Sequence, residues 1–162
     1  MNAINISPAS SAEDIEACRT IFVDYANSLG FSIAYQGFEA EMAGLPGDYA
    51  APAGAMLLAR VDGAAAGAVG LRPLADPEQK LSLCEMKHLY VRPEFRGLKL
   101  GRKLTEAVVA AGRSLDYDAM RLDTIEAMVE ARALYTSLGF VTIPPYFSSP
   151  LDGAMFYQLV LT

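Results

Sequence analysis

Cysteine and histidine are scarce in this chain: Cys18, Cys84 and His88 are the only ones. Two thiols so far apart make neither a disulfide framework nor a zinc-ligand spacing, so both read as reduced, packed thiols, and no metal site is expected. No apolar run approaches the roughly 20 residues of a membrane span. The opening MNAINISPASSAEDIEA lacks a basic start followed by an apolar block, so this stretch is not expected to act as a secretory signal. The expected location is cytoplasmic. Internal repeats and low-complexity tracts are missing too. So are G-x-G-x-x-G and G-x-x-x-x-G-K-[ST], which argues against a dinucleotide fingerprint and against a P-loop nucleotide triphosphatase.

What is present suits one domain over residues 1–162. Apolar residues make up 52% and charged residues 20%, a globular composition rather than a disordered or fibrous one. The net charge of -6 argues against broad nucleic-acid binding. Its distribution says more. Residues 87 to 103 hold Lys87, Arg92, Arg96, Lys99, Arg102 and Lys103 against Glu94 alone, so this segment is +5 and the remainder is -11. Scattered Lys and Arg usually mark a solvated face. A cationic cluster at a helix start runs against the dipole, which that reading leaves unexplained.

Apolar periodicity predicts the order β-α-α-β-β-β-α-β-α-β-β. A weak strand over 2–7 is followed by a helix capped at Ser10 or Ser11 that runs to Gly30. A short helix over 38–44 precedes the break at Leu45-Pro46-Gly47. Strands over 56–61 and 66–72 flank the hairpin signal Asp62-Gly63. The longest strand candidate is 81–91. A helix over 98–114 shows Leu100, Leu104, Ala107, Val108, Ala111 and Leu115 on one face. A strand over 119–124, a helix over 128–138 stopped by Gly139, and strands over 140–143 and 155–161 complete an α+β domain with a crossover in its middle.

The junction "LYVRPEFRGLKLGRKL", residues 89 to 104, is the informative stretch. A strand that feeds a glycine-containing turn and then a helix makes an anion site. Free backbone N–H groups point out of the helix start, and the dipole adds positive potential. Glycine lets the backbone approach phosphate oxygens without a Cβ in the way. Arg96, Lys99, Arg102 and Lys103 add charge-assisted contacts.

Arg96-Gly97-Leu98-Lys99-Leu100-Gly101 resembles [Arg/Gln]-x-x-Gly-x-[Gly/Ala], the acyl-CoA signature of the GNAT N-acetyltransferase superfamily. The likeness is wider than this hexapeptide. "CEMKHLYVRPEFRG" (84 to 97) is similar to the family's central strand and loop, and "ARALYTSLGF" (131 to 140) to its later helix and turn. Two positions depart from the pattern. Lys99 stands where the middle glycine belongs, and Met128 stands where many members carry an asparagine that helps to hold the pantetheine arm.

The resemblance implies a GNAT-like mixed, mostly antiparallel sheet flanked by helices, with a central strand that splays from its neighbour at a bulge. It implies acetyl-CoA as co-substrate. Leu89, Tyr90 and Val91 would pair with the pantetheine arm. The amides of Arg96, Gly97, Leu98, Lys99, Leu100, Gly101 and Arg102 would wrap the pyrophosphate. An acetyl transfer to an amine needs a base for the ammonium proton, a donor for the oxyanion and an acid for the leaving thiolate. By position, Glu85 is the expected base, the Leu89 N–H the oxyanion donor and Tyr135 the acid. Direct transfer needs no acyl-enzyme, so Cys84 need not be a nucleophile.

Each has a plainer alternative. Glu85 fits an outward-facing strand carboxylate or half of a pair with Lys87 or Arg121. Tyr135 fits a core tyrosine, and His88 a satisfied structural residue. The acceptor site is usually built by the first two helices and the last hairpin, which here supply Tyr25, Phe31, Tyr35 and Tyr146. The expected acceptor is a small-molecule amine. A protein amine is the alternative acceptor, and a non-catalytic acyl-CoA sensor the alternative function. A homodimer stays open; no nucleic-acid or membrane partner is expected.

Overall fold

The computed structural model describes residues 2–29, 37–149 and 151–162. Seven strands form one sheet in the order β1-β2-β3-β4-β5-β7-β6. They are β1 (Ile4–Pro8), β2 (Ala55–Val61), β3 (Ala64–Leu74), β4 (Leu83–Val91), β5 (Ala119–Ile125), β6 (Val141–Ile143) and β7 (Ala154–Val160). The helices are α1 (Ala12–Ser28), α2 (Phe38–Ala43), α3 (Leu100–Ser114) and α4 (Val129–Ser137). Among the described residues only β4 and β5 pair in parallel, joined by the crossover that contains α3. Among the described residues, no helix is long and apolar enough to cross a membrane.

Helices cover both faces of the sheet, which is why β2 reads as the nearly unbroken apolar run AMLLARV. Alternate β2 residues enter different cores. Leu57, Ala59 and Val61 join Leu104 and Val108 of α3. Met56 and Leu58 join Cys18, Ile21 and Phe22 of α1, with Phe38 and Met42 of α2. The period of two along the strand sorts these side chains.

The predicted order of elements stands, with local differences that have physical causes. α1 starts one residue after Ser11, whose hydroxyl accepts the Asp14 N–H at 3.0 Å. β4 starts at Leu83 rather than at residue 81. The Asp76 carboxylate takes the Glu78, Lys80 and Leu81 amides and so keeps the chain in a loop. α3 starts at Leu100 rather than at residue 98. Lys99 lies in the left-handed region at φ 61°, ψ 29°, which cannot continue a right-handed helix.

Candidate functional site

Two irregularities in β4 create the site. On one side, β4 pairs with β5 only through Leu83, Cys84 and Glu85, opposite Ala119, Met120 and Arg121. Beyond Glu85 the two strands part, although β4 runs on to Val91 and β5 to Ile125. On the other side, the register with β3 shifts between Ala68↔Tyr90 and Gly70↔Lys87, so His88 and Leu89 together face one residue, Val69. His88 takes φ 61° within an otherwise extended strand. This is a β-bulge, which bends a strand and re-aims its groups.

The parting opens a groove of about 590 Å³. One wall is Leu89, Tyr90 and Val91 with Arg96; the other includes Gly101, Met128 and Leu134. Five of the residues named from sequence for acyl-CoA thus line a single groove. The remaining five sit on the turn and the helix start beside it. Gly97 has φ 89°, and a Cβ there would meet nothing within 4 Å. Leu98 packs against the core, and Leu100 is buried, so only its backbone is available to a ligand. Lys99 is exposed, at the N-cap of α3, with no side-chain capping bond. Arg102 donates to Ser137 Oγ at 2.7 Å. The first N–H groups of α3 have no partner inside the helix. An uncapped start, an open glycine at Gly97 and nearby cations fit a phosphate-bearing ligand.

Arg96 is held in place before any ligand arrives. Its guanidinium donates to the Val91 carbonyl at 3.3 Å from both Nε and one terminal nitrogen, and lies over the Tyr90 ring at 5.6 Å. The left-handed Lys99 answers why glycine is usual at that position: glycine adopts this conformation without a Cβ penalty. Lys99→Gly is therefore expected to fold with stability within about 1 kcal/mol of wild type and to keep its KM for acetyl-CoA. Lys99→Glu, which places an anion at the same helix start, is expected to raise that KM several-fold with a smaller effect on kcat. Equal damage from both, read by steady-state kinetics, would remove any role for the Lys99 charge.

A second cavity, about 340 Å³, opens on Glu41, Arg72, Glu85, Lys87, Tyr146 and Phe147. Glu85 is 2% exposed and sits where the β4–β5 ladder ends. Its ion partner is neither Lys87 nor Arg121 but Arg72, directly opposite on β3, with Nε at 3.0 Å and a terminal nitrogen at 2.9 Å from Oε1. Tyr146 donates its hydroxyl to Oε2 at 2.7 Å. Burial and the Glu85 charge push the Tyr146 hydroxyl well above the usual phenol range, so it remains a donor. Lys87 instead reaches across the parting to Asp123 on β5, at 3.3 Å. Arg121 donates to Gln158 at 2.8 Å and lies over the Tyr146 ring.

Glu41 of α2 completes the polar cluster. It accepts from His88 Nε2 at 2.9 Å and from the Tyr49 hydroxyl, and Arg72 stands at 3.8 Å. Burial pushes its pKa up, but the hydrogen bonds from His88 and Tyr49 and the charge of Arg72 outweigh this and hold it below the usual carboxylate range. Burial lowers His88, so the pair is a carboxylate receiving the Nε2 proton of a neutral imidazole.

Tyr135 is 6% exposed and packs with Phe140 and Tyr157 in the core under α3. Burial raises its hydroxyl pKa, and Tyr25 and Asp123 raise it further. It stays protonated but is not among the side chains lining either cavity. Tyr25 on α1 packs edge-on to His88 and tilted on Tyr90. Phe31 and Tyr35 lie outside the described residues. Sequence reading missed Glu41, Arg72 and Asp123. Their signal is pairing register and the packing of α2, which a single strand pattern does not carry.

A mixed sheet whose central strands part beside an uncapped helix start is the arrangement that the family resemblance implies for an acyl-CoA-dependent acyltransferase. The acetyltransferase (GNAT) family model matches residues 17–140, and the chain belongs to that family. An uncharacterized N-acetyltransferase of Schizosaccharomyces pombe is 35% identical over 160 residues, covering 98% of this chain and 96% of that protein. The uncharacterized N-acetyltransferase YjgM of Escherichia coli is 32% identical over 92 residues, 57% of this chain and 54% of that one. A GNAT-family acetyltransferase structure from Staphylococcus aureus superposes with a TM-score of 0.78 at 24% identity, covering 99% of this chain and 100% of that chain. The structure of yncA from Salmonella typhimurium, solved with its cofactor acetyl-CoA, has a TM-score of 0.69 at 20% identity, covering 99% and 95%. The protein is an acetyltransferase that uses acetyl-CoA.

Proposed function

We propose that this chain, as one catalytic domain over residues 1–162, moves the acetyl group of acetyl-CoA directly to the primary amine of a small molecule in the cytoplasm. The observation that carries this reading is the placing of Glu85. A buried carboxylate stands where the β4–β5 ladder ends, in a cavity of about 340 Å³, a volume suited to a small acceptor. Glu41 and Glu85 share Arg72 as their ion partner and Lys87 is paired with Asp123, so the cavity offers an ammonium two carboxylates, with Arg121 over the Tyr146 ring offsetting part of their charge.

In this reading the groove along Leu89, Tyr90 and Val91 holds the pantetheine arm, and the Arg96–Arg102 turn holds the phosphates. Acetyl-CoA supplies the activated thioester. Glu85 takes the ammonium proton of the acceptor, directly or through a water. The Leu89 N–H faces the acyl oxygen as it gains charge. Tyr135 gives its proton to the leaving sulfur. Tyr146 lines the acceptor cavity, while Tyr25 packs on His88 and Tyr90 outside its lining; Tyr25, Phe31 and Tyr35 are proposed to contact the acceptor beyond that cavity.

Release of free thiol from acetyl-CoA, screened over a panel of small amines and lysine peptides, tests this. Thiol release with a small amine supports it. Binding of acetyl-CoA without turnover, or turnover with peptides alone, would overturn it. A second expectation concerns the cofactor's phosphates. Arg96→Ala should weaken CoA by about tenfold, the scale of one charged hydrogen bond, and should weaken acetyl-pantetheine far less. Arg102→Ala should act the same way more mildly, and binding of CoA should weaken as salt rises. Equal losses for both ligands, measured by calorimetry, would move the phosphate site elsewhere.

A further inference from the structure

We propose that His88 is a positioning residue: its bond to Glu41 braces the β4 bulge and so fixes the backbone of Leu89 at the reacting centre. The proposal rests on the reading above that the Leu89 amide faces the acyl oxygen.

His88 is a non-glycine residue at φ 61° in the middle of a strand, a conformation that persists only when the surroundings hold it. The surroundings here are specific. Its ring is enclosed by those of Phe22, Tyr25, Phe38 and Tyr49, with centroids 5.2 to 6.4 Å away. The aromatic shell gives the ring a place but no direction. Direction comes from the bond of Nε2 to Glu41 Oε2 at 2.9 Å. Glu41 is itself fixed by the Tyr49 hydroxyl.

The opposing strand is shaped to the same brace. The Tyr49 ring lies against Gly70 on β3, and a Cβ at Gly70 would meet its Cε1 at 2.7 Å. Gly70 is the residue at which the β3–β4 register resumes after the bulge. Tyr49 therefore touches the bulge from β3, and His88 grips it from β4, with Glu41 between them. If the brace is removed, β4 is free to settle toward regular pairing. A slip of one residue turns every following group to the other face, and Leu89, Tyr90 and Val91 are those groups. The acceptor cavity shares Glu41, so the same bond ties α2, beside the acceptor, to the strand along the acyl-CoA groove.

The test combines kinetics with amide resonances of Leu89 and Tyr90 in the full chain. His88→Phe keeps an aromatic ring and removes the bond. Its kcat is expected to fall about 10- to 100-fold, the range for a reacting group displaced by a fraction of an ångström to about 1 Å. Its KM for acetyl-CoA is expected to change less than threefold, and the Leu89 and Tyr90 resonances to broaden or double. His88→Gln, whose amide can still donate to Glu41, is expected to recover part of kcat. A folded His88→Phe enzyme with wild-type kcat and unchanged resonances overturns the proposal. If His88→Phe does not fold, Tyr49→Phe decides. It removes one bond on Glu41 and keeps the ring, so an intermediate fall in kcat supports the brace and unchanged kcat with unchanged resonances overturns it. A wild-type protein that releases no thiol with any amine refutes the proposed reaction instead, and the resonances still report whether His88 holds the bulge.

Discussion

Glu85→Gln is expected to lower kcat/KM for the amine by about 10²-fold or more, the usual range for loss of a general base. An alkyl amine with a pKa near 10 is almost wholly protonated at neutral pH, so its proton must leave before nitrogen can attack. The structure sharpens what the substitution changes. One Glu85 oxygen is committed to Arg72 and the other receives the Tyr146 hydroxyl. Glutamine can still accept from Tyr146, but its amide nitrogen then faces the Arg72 guanidinium as donor against donor. Some stability is lost with the charge, so thermal melts must accompany the kinetics. The decisive readout is the acidic side of the kcat/KM profile. In Glu85→Gln it should reduce to the ionisation of the amine alone. A profile unchanged in shape, in a folded variant, would place the base elsewhere. Arg72→Met separates the two roles of the cluster. It removes the charge partner and leaves the carboxylate, so activity should survive it better than it survives Glu85→Gln.

The fold was largely legible because its signals are local. The cap at Ser11, the Asp62-Gly63 turn, the helical face of α3 and the stop at Gly139 each depend on neighbours within a turn or two. One wall of the groove beside β4 was legible for the same reason, since Leu89 to Arg102 is one continuous segment. What the sequence hid is long-range. Nothing near Glu85 announces Arg72, thirteen residues upstream, because their meeting depends on the β3–β4 register. Nothing near His88 announces Glu41, which arrives on a six-residue helix whose place is set by packing Phe38 and Met42 under α1. The bulge, expected from the family resemblance but not from the residues themselves, is the clearest case. "EMKHLYV" alternates well enough to pass for a regular strand, and the extra residue becomes visible only against Val69. The left-handed Lys99 was half legible: the family pattern marks a glycine position, but only the backbone angles show why.

Tyr135→Phe is expected to lower kcat by about 10²-fold while acetyl-CoA binding stays within about twofold. The ring is part of the core, packed on Phe140 and Tyr157, and phenylalanine preserves that packing. Only the hydroxyl is lost, so an effect on kcat cannot be ascribed to a collapsed site if the melting temperature holds. Burial, with Tyr25 and Asp123 nearby, keeps the hydroxyl protonated, which is the form an acid for the leaving sulfur requires. The companion variant is Cys84→Ala, expected to stay active. Cys84 lies one residue from Glu85 and invites comparison with a nucleophile, but burial pushes its thiol up to about 12. At neutral pH about one thiol in 10⁵ is then ionised, and the thiolate is the nucleophilic form. Its sulfur instead faces the Ala119 carbonyl at 3.7 Å, on the core side of the strand. Quench experiments with labelled acetyl-CoA read the difference directly. Unlabelled protein after acid quench, with activity retained in Cys84→Ala and lost in Tyr135→Phe, supports direct transfer. A labelled thioester on the wild type that disappears in a folded, inactive Cys84→Ala protein would replace direct transfer with a two-step route and leave Tyr135 as a core residue.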